Sequence, residues 1–295
     1  MFREDALAGK SILVTGGGSG LGLEISKALA AKGSKVHICG RRPQLLEEAA
    51  AKISEGAAVP ASHHVCDIRD ADQVEGAMDA IWTEGPLTGL VNNAAANFIA
   101  PTRDLSPRGF RAVTSTVMDG SFHATLAAGK RWIAGGHKGS VVSNLVTWVW
   151  TGSAFVVPSA MAKTALHAMT MSLAVEWGRY GIRLNATAPG PFPTESAWEK
   201  LSPIPDVSSS ATRADTVPLG RYGQIRELQN LIIFLLSDAC DYLTGQTIAI
   251  DGGQHLAGPG TFADLTALTD EQWRTAREAI QRSTQRDKAQ RAAGV

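Results

Sequence analysis

Apolar positions recur along this chain in two alternating patterns. Short runs rich in Val, Ile and Leu end at glycines or polar residues: KSILVTG (10–16), SKVHICG (34–40), SHHVCDI (62–68), TGLVNNAAA (88–96), 139–146, 182–188 and QTIAIDGG (246–253). Such bounded runs read as strands buried in a parallel sheet. Between them the spacing changes to three and four residues. Leu21, Ile25, Ala28 and Leu29 share one side of a stretch closed by Gly33, and Ala162, Leu166, Met169, Leu173 and Trp177 form a longer stripe. That period predicts amphipathic helices there and over 43–54, 70–84, 108–134 and 224–238. Strands alternating with helices throughout predict an α/β fold, a Rossmann-type doubly wound parallel sheet.

Nothing interrupts this alternation: there is no internal repeat and no Pro/Ser-rich linker. The whole chain, 1–295, is therefore read as one domain with its core at 10–253. A loop with a short helix is expected over 190–215. Residues 254–280 read as a C-terminal extension, in which Thr269 and Gln272 have capping-box spacing at the start of a helix. Residues 281–295 read as a solvated, frayed tail. Pro158 and Ser159 supply helix-start chemistry just before Lys163, and Lys163 lies one turn after Ser159.

Composition narrows the function. Lys+Arg and Asp+Glu both number 28, so overall charge gives no reason to expect nucleic acid or an anionic membrane as a partner. The N-terminus, MFREDALAGK, is too charged for a signal peptide. No apolar run approaches the ~20 residues of a membrane helix. Cys39, Cys66 and Cys240 show neither metal spacing nor disulfide density. A cytoplasmic protein is expected. His63, His64 and the other histidines form no metal or triad pattern, so no metal is expected.

The first strand runs into TGGGSGLG (15–22) and then a helix. Glycines there permit positive φ and close approach of a pyrophosphate, which the free N–H groups of the helix N-terminus attract. Gly16, Gly18, Ser19, Gly20, Leu21 and Gly22 form this loop, spaced G-x-x-x-G-x-G. About 20 residues beyond a loop of this kind, an acid reads the ribose of NAD and an arginine accommodates a 2′-phosphate. Gly40-Arg41-Arg42 stands here without an acid. NADP(H) is the expected cofactor, with Arg41 and Arg42 at its phosphate.

TGGGSGLG, CDI (66–68), VNNAA (91–95), the Lys163 helix, PGPFPT (189–194) and TGQTIAIDGG (244–253) lie in the order of the motifs of the short-chain dehydrogenase/reductase family, which the chain resembles over 10–253. The resemblance implies that Asp67 and Ile68 lie near the adenine. It places Asn93, Ala94 and Ala95 along the cofactor, and Pro189, Gly190 and Thr194 at the nicotinamide end. It also implies a homotetramer. A narrower likeness, to the 2,4-dienoyl-CoA reductases, is carried by NNAAANFIAPTRDLSPRGF (92–110), TGSAFVVPSAMAK (151–163), SLAVEWGRYGIRLN (172–185) and GTFADLTALTDEQW (260–273). It implies NADPH-dependent reduction of an acyl-CoA, with Asn97, Phe98, Trp148 and Ser159 in the substrate pocket.

The chemistry departs from the family pattern. The family tyrosine four residues before the lysine falls on Ser159, and the family serine on Val146. The tyrosine that mitochondrial-type dienoyl-CoA reductases carry falls on Trp148, whose indole N–H cannot act as an acid. Lys163 is retained. The resemblance assigns Asp119 the place of the family asparagine and Asp251 that of a peroxisomal-type carboxylate. Lys163, Asp119 and Asp251 form the expected catalytic set. On the residues alone, Asp119 also fits a helix-face pair with Lys163, and Asp251 fits a strand-end role. Two alternatives stay open: the same fold acting on another carbonyl or thioester, and a catalytically silent NADP(H)-binding protein.

Overall fold

The computed structural model describes residues 2–193, 213–258, and 269–272, 274, 275 and 278. Thr194, most of the short-helix loop and the tail lie outside the described residues, as does most of the extension. The chain divides into two compact units, Met1–His255 and Leu256–Val295. In the second, Thr269 and Gln272 do exchange the capping-box hydrogen bonds, Gln272 N–H to Thr269 Oγ1 at 3.3 Å and Thr269 N–H to Gln272 Oε1 at 2.8 Å.

The first unit holds seven parallel strands: β1 Ser11–Thr15, β2 Lys35–Gly40, β3 Ser62–Val65, β4 Gly89–Asn92, β5 Gly139–Asn144, β6 Ile182–Pro189 and β7 Thr247–Ile250. Their order is β3-β2-β1-β4-β5-β6-β7. The chain leaves β1 in one direction and later returns to its other side through β4. In doubly wound sheets the crevice at that reversal receives ligands.

Helices cover both faces, as parallel strands require. One core joins β1 and β2 to α1 (Gly20–Ala30), α2 (Pro43–Ser54) and the helix after β6, Ile225–Leu236. The other joins the sheet to α3 (Ala71–Thr83), a long helical segment after β4, and the Lys163 helix. Two tryptophans there are matched to glycines. A Cβ at Gly139 would lie 2.5 Å from the Trp132 ring, and one at Gly129 would lie 2.5 Å from Trp177. The fully buried Trp132 also donates its indole N–H to the Leu87 carbonyl at 2.6 Å. No helix of the described residues is long and apolar enough to cross a membrane.

Three local departures from the expected elements bear on the site. The helix expected over 108–134 is split into α4 (Pro107–Thr114), a π-helical turn (Ser115–Asp119) and α5 (Gly120–Gly135). The hydroxyls of Thr114, Ser115 and Thr116 donate to the carbonyls of Phe110, Arg111 and Ala112, four residues back, at 3.2, 2.5 and 3.0 Å. Three successive bonds of this kind compete with the α ladder and bend it. Second, β5 stops at Asn144, and Trp148–Thr151 forms one helical turn, α6. Trp148 and Trp150 therefore do not alternate across a strand. Third, the Lys163 helix, α7, begins at Val157, ahead of Ser159. Pro158 occupies the first turn, where its missing N–H costs nothing. Ser159 lies inside that turn, buried, and caps no backbone group.

Candidate active site

A cavity of about 650 Å³ opens at the β1/β4 reversal. The loop from β1 into α1 forms one wall. Gly16 has φ +67°, and a Cβ there would come within 2.9 Å of the Ala94 Cα. At Gly22 a Cβ would lie 2.3 Å from the Gly16 carbonyl oxygen and 2.5 Å from Asn93 Nδ2. Glycine is thus required at both positions by backbone conformation or contact. Gly16, Ser19, Gly20, Leu21 and Gly22 line the cavity. Gly18 faces α2 instead, where its missing Cβ leaves room for Leu46.

The chain ends of β2 and β3 form the far end of the cavity, with Arg41, Arg42, Asp67 and Ile68 lining it together with Cys39 and Cys66. Arg41 and Arg42 are exposed, so their guanidinium groups are available to an anion. Asp67 is engaged by the guanidinium of Arg69 through contacts of 2.5–3.0 Å, which hold its carboxyl below the usual carboxylate range.

A hydrogen-bonded ladder fixes the cavity floor. Thr15 Oγ1 accepts from the backbone N–H groups of Asn93 and Ala94 at 3.0 and 3.1 Å. Asn144 Nδ2 donates to Asn93 Oδ1, and Asn144 Oδ1 accepts from Thr187 Oγ1, each at 3.2 Å. The ladder ends at Lys163, whose Nζ donates to the Asn144 carbonyl. Lys163 is only 8% exposed, and burial lowers its pKa to about 8. The ends of β1, β4, β5 and β6 are thereby tied to one lysine on α7.

Beside Lys163 the cavity is lined by Ser159, Trp148, Val146, Asn97, Thr116 and Pro189. Asn97 Oδ1 is buried and has no partner among the described residues. None of the three tyrosines lines the cavity. Asn93, Ala94 and Ala95 line it where the sequence places them, whereas Gly190 and Phe98 do not. Gly190 is instead pressed against Asp251, where a Cβ would lie 2.6 Å from the Asp251 Cβ.

Both expected carboxylates are displaced from this cavity. Asp119 ends the π turn, half-buried, and the residue of that turn lining the cavity is Thr116. Asp251 lines a second cavity of about 470 Å³ with Phe192, Arg221 and Glu227. Its carboxylate accepts from Gly253 N–H at 3.0 Å, and from His255 N–H and Nδ1 at 2.8 and 2.7 Å. Burial raises its pKa, but those hydrogen bonds outweigh burial and the net shift is downward. His255 in turn stacks on Trp150 at 5.0 Å between ring centroids. Asp251 thus anchors the β7 end rather than the lysine site.

No sequence pattern singles out Asn144, Thr15 or Thr116. Asn144 falls inside the strand expected over 139–146, whereas β5 ends at it. Thr116 was hidden by the π turn.

The family described as Enoyl-(Acyl carrier protein) reductase matches residues 16–255. A probable 2,4-dienoyl-CoA reductase, (2E)-enoyl-CoA-producing, of Bacillus subtilis is 39% identical over 84% of this chain and 97% of its own. A probable 2,4-dienoyl-CoA reductase, (3E)-enoyl-CoA-producing, of Caenorhabditis elegans is 36% identical over 98% and 95%. Among solved structures, a gluconate 5-dehydrogenase of Burkholderia cenocepacia in complex with NADP and tartrate is 32% identical. It covers 85% of this chain and 97% of its own, with a TM-score of 0.77.

Proposed function

Because the chain belongs to the short-chain dehydrogenase/reductase family, an oxidoreductase family, we propose that it is an NADPH-dependent reductase of an unsaturated acyl-CoA, a 2,4-dienoyl thioester or a close relative. The observation that carries this reading is a buried Lys163 in a cavity without a tyrosine. Ordinary ketone reduction in this fold uses a tyrosine acid beside the lysine, and this cavity offers none. Reduction of a conjugated thioester needs charge stabilisation at a distant oxygen more than a strong acid at the carbon attacked.

The residues fit NADP(H). Gly22 lets the turn close on the Gly16 carbonyl and Asn93, so that Ser19, Gly20 and Leu21 line the cavity at the N-terminus of α1, where a pyrophosphate would sit, and Arg41 and Arg42 would meet a 2′-phosphate at the opposite end. The gluconate 5-dehydrogenase solved with NADP supports the same cofactor. NADPH when bound supplies the hydride. Lys163 would hold the nicotinamide ribose and would place positive charge near the thioester oxygen, where preorganised charge is needed. Ser159 and the unpartnered Asn97 Oδ1 hold substrate or a water that returns the proton. Trp148 gives the acyl chain an apolar wall. Asp119 and Asp251, outside the cavity, receive no step.

The expected result, followed by absorbance, is NADPH consumption with 2,4-dienoyl-CoA esters, none with simple ketones, and no NADP⁺ reduction with simple alcohols. Tight NADPH binding without turnover on any dienoyl or enoyl ester would favour the silent binding protein, which the missing tyrosine also fits. Arg41→Ala is expected to weaken NADPH roughly 10–100-fold, the worth of a charge-assisted bond, while leaving NADH unchanged in parallel titrations. Equal losses for both nucleotides would remove Arg41 from the 2′-phosphate.

A homotetramer is part of the proposal. The exposed Met161, Met171 and Val175 of α7, with Met118 and Phe122, supply an apolar surface suited to subunit contact.

A further inference from the structure

On the N-terminal half of the sheet, away from the cavity, three residues remote in sequence meet. His37 lies within β2 and is fully buried; His64 lies on the edge strand β3 and is partly exposed; Glu84 caps the end of α3 and is exposed. The register pairs Cys39 with His64 and His37 with Ser62, so the two histidines are diagonal neighbours on one face. His37 Nδ1 is 3.2 Å from His64 Nε2, and the ligand atoms of all three residues lie within 4.8 Å of one another.

We propose that His37 Nδ1, His64 Nε2 and a Glu84 carboxylate oxygen form a binding site for a divalent transition metal, with Zn²⁺ the best match. Two imidazole nitrogens bound to one tetrahedral zinc at about 2.0–2.1 Å stand roughly 3.4 Å apart, close to the separation observed. Two nitrogens and one carboxylate are a donor set zinc accepts, leaving a fourth position for water. The carboxylate is already oriented: Lys35 Nζ lies 2.7 Å from Glu84 Oε2, and Ser62 Oγ donates to the same oxygen at 3.4 Å. Oε1 is left to turn toward the histidines. Such outer contacts are what hold metal-binding carboxylates in place. Access is open, since Glu84 and the outer edge of β3 face solvent. A bound ion would clip the edge of the sheet to the end of α3.

The test uses the full chain stripped with a chelator and titrated with ZnCl₂, by calorimetry and by competition with a chromogenic zinc indicator. One Zn²⁺ per chain and a rise in melting temperature with zinc concentration are expected, since an ion binding only the folded state stabilises it by mass action. His64→Ala and Glu84→Gln should each weaken binding by more than the roughly 10–100-fold that loss of an outer-shell partner costs. His63→Ala is the control: it alternates to the opposite face of β3 and should bind as the parent does. NADPH binding by the two ligand variants reports that they are folded. Absence of saturable binding, unchanged affinity in His64→Ala, or equal loss in His63→Ala would overturn the site.

Discussion

Lys163→Ala is expected to lower kcat/KM for NADPH-dependent dienoyl-CoA reduction by about 1,000-fold, the scale of losing one preorganised charge-stabilising donor. The ladder from Thr15 through Asn93 and Asn144 ends on this ammonium, so the variant loses both the charge and the group the strand ends converge on. Full retained activity would end the mechanism. The pH dependence has a definite sign. In the cofactor-free protein burial lowers the Lys163 pKa to about 8, against about 10.4 in an unfolded chain. Between those values the unfolded chain binds more protons, so this group makes stability rise with pH across the window. NADPH binding has the opposite sense, because an anion prefers the protonated lysine. Its affinity is expected to fall as pH rises through about 8, and Lys163→Met should abolish that inflection in fluorescence titrations.

Gly22→Ala is expected to remove measurable NADPH binding and to destabilise the chain by about 1–3 kcal/mol, the usual cost of overpacking. The added Cβ would meet backbone, the Gly16 carbonyl oxygen at 2.3 Å, and the Asn93 amide at 2.5 Å. Neither can move without breaking the turn or the ladder, so the loop must open, and with it the anion cradle at the N-terminus of α1. Urea unfolding with an unchanged m value separates the stability loss from the binding loss. Wild-type affinity for NADPH would show that the loop does not approach the cofactor.

The strand and helix alternation was legible because parallel strands buried on both faces leave continuous apolar runs. The seven strands fall where those runs lie. That the glycine loop and Arg41 stand at strand ends was legible too, since glycine spacing and strand ends depend on local backbone, and both line one cavity. The catalytic end was not. Asp119 takes its place from the family resemblance, and the structure puts it at the end of a π turn, outside the residues that line the lysine cavity. Asp251 takes its place from the same resemblance, and its carboxylate turns to His255, four residues later. Trp148 reached the cavity by a helical turn that a strand reading of 139–146 does not foresee. His37, His64 and Glu84 were unreadable for a different reason: their meeting depends on the register of β2 and β3, which no local pattern records.

The widened turn at Ser115–Asp119 also makes this segment sensitive to phase. Each residue of ordinary α-helix advances about 100° around the axis, and the π turn absorbs one extra residue without displacing what lies on either side. Gly120 after it is packed so closely on Ile68 that a Cβ would come within 2.6 Å, while Ser106 caps α4 at the other end. Both ends are therefore pinned, and a one-residue deletion between them would have to be taken up as rotation. Length, more than composition, is the property this turn holds constant.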